Sequence, residues 1–220
     1  MTIHFEYDLE MEWDNFRRGL YSKNHPGILP KLAEEMVEKK LDYKNKKVVL
    51  DFIKKKTLAL KLYPENQISK IQNDWQKIEL ESIKRMDMLF GQSLNYNITV
   101  YLTVNNRCAY NIDQHYFFVN MFSKSTNRII LHELLHFYTY EYILPIFKQR
   151  NLNYNQFNDY KEALTFLLNT NLGYLLNGYK DNGYKKQKDL RIYLEKTWPK
   201  YNNINILTKF TIDNYFKKAI

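Results

Sequence analysis

His132, Glu133 and His136, in the run His132-Glu133-Leu134-Leu135-His136, are the residues whose types and spacing point to chemistry. Histidines four apart on a helix project from one face, one turn apart, so both imidazoles can be directed at a single ion. Glu133 sits beside them, offset by one residue. The spacing supplies two metal ligands and a base, the pattern expected of a helix that binds Zn²⁺. A zinc-bound water has a pKa of roughly 7, and a neighbouring carboxylate can take its proton as it attacks a polarised carbonyl. The competing reading is two histidines packed in a core helix, which the neighbours Ile129, Ile130, Leu131, Leu134, Leu135 and Phe137 would suit. Burying two histidines and a glutamate among such residues carries a desolvation cost, which a bound metal offsets.

A catalytic zinc needs a third protein ligand and an open position for water. No histidine follows His136, which excludes the extended metzincin pattern with its later histidine. His4, His25 and His115 lie upstream and stay open as ligands. Glu141, on the same helix, points away from both histidines. Glu162 lies far enough beyond His136 for the first helix to finish, a loop to run from Asn151 to Asn158, and a second helix to open near Asp159 and return. It has a second reading: Asp159-Tyr160-Lys161-Glu162 has the form of a capping box, with Asp159 as N-cap and Glu162 reaching back, a role that needs no metal. Asp159 is the substitute ligand if Glu162 is the cap.

The run His132 to His136 followed by Tyr160-Lys161-Glu162-Ala163-Leu164 resembles the gluzincin branch of the zinc metallopeptidases, whose third ligand is a glutamate on a following helix. The resemblance covers about residues 96 to 175. It implies that the β-rich stretch from Tyr116 to Met121 is an edge strand along which an extended peptide lies. Two departures stand out. Where gluzincins carry an Asp or other polar group four residues after the third ligand, this chain has Phe166, with Thr165 the nearest polar neighbour, so the partner of a ligand histidine is unidentified. The transition-state donor, a downstream His or Tyr in such enzymes, cannot be His, leaving Tyr174, Tyr179 and Tyr184.

The elements that must position these residues are read from periodicity. Residues 3 to 11 alternate as a half-buried strand, and Trp13, Phe16, Arg17 and Leu20 follow at helical spacing. The Asn24-His25-Pro26-Gly27 cluster predicts a turn before a Pro30-initiated helix with Leu32, Ala33, Met36, Val37 and Leu41 inward. A third helix starts near Asn45. From Glu65 to Phe90 one long helix is predicted, capped by Gly91. Ile98 to Val104 and His115 to Met121 read as neighbouring strands, and several N-cap residues from Ser123 to Asn127 open the His132 helix, which runs to Tyr142. Asn177-Gly178 and Asp181-Asn182-Gly183 are turns, and one or two helices complete the chain.

With 220 residues, 45% of them hydrophobic, the chain can bury a core without disulfides, and its one cysteine, Cys108, leaves metal binding to histidine and carboxylate. The +9 charge suits nucleic acid, but no recognised binding motif accompanies it, and Lys54-Lys55-Lys56 reads as a solvated helix face. The N-terminus lacks the basic start and apolar block of an export signal, and no apolar run approaches the roughly 20 residues of a membrane span, so a cytoplasmic location is expected. The expected fold is α+β: a single zincin-like domain over 1–220. A mostly helical part spans 1–92, a catalytic core with a small mixed or antiparallel sheet spans 93–176, and C-terminal helices span 177–220. The expected function is zinc-dependent hydrolysis of peptide or protein substrates, with His132, His136 and Glu162 as ligands and Glu133 as base. The alternative is a catalytically inactive, metal-stabilised binding or regulatory protein on the same frame.

Overall fold

A computed structural model describes residues 1–21, 29–61 and 63–217; the turn expected at Asn24 to Gly27, and His25 with it, lies outside them. The protein is α+β, with a small mixed sheet of four strands, and its chain divides into two compact units interleaved in sequence.

The first unit comprises 1–76 and 96–126. Its sheet begins with β1 (Ile3–Glu6), followed by helices α1 (Leu9–Leu20), α2 (Lys31–Glu38), α3 (Lys46–Ala59) and α4 (Pro64–Gln76). Strands β2 (Ile98–Thr103), β3 (Tyr110–Asn111) and β4 (Tyr116–Asn120) complete it, in the order β1-β2-β4-β3. The opening strand is shorter than the alternation over 3 to 11 suggests. Asp8 ends it by capping α1, its Oδ1 accepting from Glu10 N at 2.7 Å and Met11 N at 3.0 Å. Asn45 caps α3 in the same way. Val37, expected inward, is on the exposed side of α2, whereas Leu32, Ala33 and Met36 are buried.

β2 and β4 are neighbours, as expected, and run parallel. The edge-strand expectation for Tyr116 to Met121 does not hold. β4 lies between β2 and β3, because the turn before it brings Tyr110 and Asn111 back against Phe117 and Tyr116, and all five of its residues are buried.

The second unit comprises 77–95 and 127–220. The single helix expected over 65–90 is two, α4 and α5 (Glu79–Phe90), broken at Lys77 and Ile78. Gly91 does cap α5, at φ 73°. Helix α6 (Thr126–Tyr142) carries His132 to His136; Ile130, Leu131, Leu134, Leu135, Phe137 and Tyr138 are fully buried, so it is apolar on nearly every side. Pro145 opens α7 (Leu144–Gln149). Then come α8 (Tyr154–Leu164), the single turn α9 (Leu167–Thr170), α10 (Lys188–Tyr201) and α11 (Ile204–Thr211). Among the described residues, no helix is long and apolar enough to cross a membrane.

Candidate metal centre

Two helices of the second unit bring the predicted residues together. His132 and His136 stand one turn apart on α6, with ring centroids 4.5 Å apart and planes at 73°. Glu162 comes from the last turn of α8, because that helix starts earlier than expected. Asn153 caps it, with Asn153 Oδ1 accepting from Gln156 N and Gln156 Oε1 accepting from Asn153 N. The capping box is therefore Asn153-Gln156, inside the stretch read as loop, and Glu162 has no capping role. Asp159 accepts from Lys186 Nζ and Gln187 Nε2 and is no substitute ligand.

Glu162 Oε2 lies 3.4 Å from His136 Nε2 and 3.7 Å from His132 Nε2. One donor atom from each of the three residues falls within 4.8 Å of the others, so the cluster could hold a metal ion. Tetrahedral zinc with bonds of about 2.0–2.1 Å has its ligand atoms roughly 3.4 Å apart, close to these separations. Oε2 is buried and makes no hydrogen bond, nor does the buried Oε2 of Glu133. Two unsatisfied carboxylate oxygens in one core are costly unless a cation or proton meets them, and this is the observation that fits a metal to the site. Of the described upstream histidines neither joins: His4 is exposed and His115 stacks on Tyr96 at 3.8 Å. Glu141 is exposed.

The group that orients His132 is one that sequence reasoning missed. Its Nδ1 meets Asp181 Oδ2 at 2.8 Å, so with Nδ1–H donating, Nε2 is turned to Glu162. Asp181 is 2% exposed. Its Oδ1 accepts from Thr165 Oγ1 at 2.9 Å and Gly183 N at 3.1 Å, with Arg191 Nη1 at 3.3 Å; its carbonyl accepts from Arg191 Nη2 and Asn169 Nδ2. Gly183 has φ +61°, and a Cβ there would stand 3.0 Å from Arg191 Nη1. The Asp-Asn-Gly turn is thus a device for delivering a carboxylate, and Thr165 supports the histidine through Asp181. Only an acidic residue in a tight turn marked this in the sequence.

Electrostatics follow the geometry. Burial opposes charge on His132, but the hydrogen bond its Nδ1 makes to Asp181 and the nearby carboxylates of Glu162 and Glu133 outweigh it and push its pKa up to about 10. His136 goes the other way, to about 3, through burial and the nearby Lys161 and His132. Burial raises Glu133 to about 7. For Glu162, burial is outweighed by the histidines and Lys161, which hold its carboxyl far below the usual range. Of the tyrosines considered as donors, Tyr174 gives its hydroxyl proton to Glu81 Oε1 at 2.7 Å, and Tyr174, Tyr179 and Tyr184 are all substantially exposed. Tyr138, Tyr140 and Tyr142 serve packing and hydrogen bonding, with Tyr138 donating to Asp87 and Tyr142 to the Ser93 carbonyl.

No family model, curated protein or solved structure matches the chain.

Proposed function

We propose that this chain is a zinc-dependent peptidase in which His132, His136 and Glu162 hold the metal and Glu133 is the general base. The observation that carries the reading is the convergence of two imidazole nitrogens on a buried, hydrogen-bond-free oxygen of Glu162, beside a second such oxygen on Glu133. Two imidazoles and one carboxylate form a donor set that suits zinc and leaves a fourth position open. Peptide bonds as the target rest on the likeness of these motifs to the gluzincins.

When bound, zinc supplies the Lewis acidity that makes a water nucleophilic near neutral pH and polarises a carbonyl. Glu133, its carboxyl raised to about 7 by burial, accepts a proton at its unpartnered Oε2 and returns it to the leaving amine. Asp181 holds the Nδ1 proton of His132, which leaves the Nε2 lone pair for the metal.

The test is elemental analysis with a cleavage assay. The purified chain is expected to carry about one zinc, to lose it in Glu162→Ala, and to cleave members of a mixed peptide library only when metal-loaded. A stoichiometric metal without cleavage would favour the inactive, metal-stabilised alternative; no metal uptake would sink both.

A further inference from the structure

Lys161 is the least expected residue in this region: its side chain is 1% exposed, on a helix turn where Tyr160, Ala163 and Leu164 are fully buried. A buried ammonium is stable only when paired, and its Nζ donates to Glu162 Oε1. The two oxygens of Glu162 are therefore divided. Oε1 is engaged by Lys161, while Oε2 alone faces the Nε2 atoms of His132 and His136. The carboxylate also stands in the last turn of α8, where the helix dipole disfavours an anion and a neighbouring cation offsets it.

We propose that Lys161 is a positioning residue that restricts Glu162 to ligation through one oxygen, and so keeps a coordination position open at the metal. This rests on the metal-site reading above. A glutamate free at both oxygens can chelate an ion with both; one whose Oε1 is held by an ammonium cannot do so without breaking a buried ion pair. Because the tether comes from the residue next to the ligand on the same helix, it is independent of substrate.

Cobalt(II) added to the metal-free full chain, followed by visible absorption, tests this. Wild type is expected to bind one Co²⁺ per chain with the strong ligand-field bands of four-coordination. Lys161→Met is expected to bind Co²⁺ with bands several-fold weaker, as the released oxygen enters the coordination sphere. Lys161→Arg, which keeps the cation, is expected to retain the wild-type spectrum. Matching spectra for wild type and Lys161→Met would overturn the proposal while leaving the metal site standing; a wild type that takes up no Co²⁺ overturns both. Near-UV circular dichroism reports whether the Met variant folds. If it does not, X-ray absorption of the zinc-loaded wild type decides: one shell of four N/O ligands at about 2.0–2.1 Å supports the tether, and a fifth oxygen overturns it.

Discussion

Each unit of this protein buries carboxylates, and the two treat them in opposite ways. In the first unit, Glu12 of α1 is 0% exposed and both its oxygens are satisfied. Val104 N donates to Oε1 at 2.7 Å, while Thr103 Oγ1 and Asn105 Nδ2 donate to Oε2 at 2.6 and 3.0 Å. In the second unit, Glu133 and Glu162 each keep an oxygen with no hydrogen-bond donor. A carboxylate whose acceptors are filled by its own fold works as a brace, here tying α1 to the end of β2. One with a buried oxygen left unfilled could instead meet a cation or a proton.

The contrast can be broken by substitution. The largest effect is expected at Glu133: Glu133→Gln should lower peptide hydrolysis by about 10²–10⁴-fold while metal content, read by elemental analysis, stays near wild type. A fully active Gln variant would falsify the mechanism. At Glu12 the damage should be to stability instead. Glu12→Ala strands Val104 N–H and Asn105 Nδ2–H in the core, and urea denaturation should register a loss of about 3–5 kcal/mol with metal binding in the surviving folded protein unchanged.

The pH dependence sharpens the comparison. Burial raises Glu12 from its ordinary range to about 7, against the pull of its three donors. The folded state therefore binds the Glu12 proton more tightly than the unfolded state does. The associated stability is present below about pH 4.5 and is lost as pH rises towards 7, by up to about 3 kcal/mol. Unfolding free energy measured from pH 5 to 7.5 should fall less steeply in Glu12→Gln than in wild type; equal slopes would refute the assignment. Next in size, Asp181→Asn should weaken zinc binding about 10–100-fold in a competition titration, since it disturbs the histidine's orientation and leaves all three ligands in place. The smallest change is expected from Asn153→Ala, which removes the cap of α8 for about 1 kcal/mol in thermal unfolding.

The legible parts of the molecule were those governed by neighbours in sequence. The His132–His136 spacing fixes a shared helix face whatever the fold, Gly91 at φ 73° ends α5, and Asn45 caps α3. Even the misread stretch obeyed a local rule: Asn153 and Gln156 form a capping box that lay in plain sight within the supposed loop. The irregular apolar spacing from Ile78 to Ile83 likewise begins at the break, Lys77 and Ile78, where two helices replace the expected one.

The sequence by itself determined the donor types, the two-histidine helix and the adjacent base, because a helix places residues four apart together without help from the rest of the chain. Tertiary structure alone decided which glutamate meets those histidines, that β4 is interior rather than an edge, and that Asp181 meets His132. Each of these depends on segments far apart in the chain, such as His132 and Asp181, being packed side by side. No local periodicity encodes that packing; it emerges only when buried polar groups must find partners in the folded core.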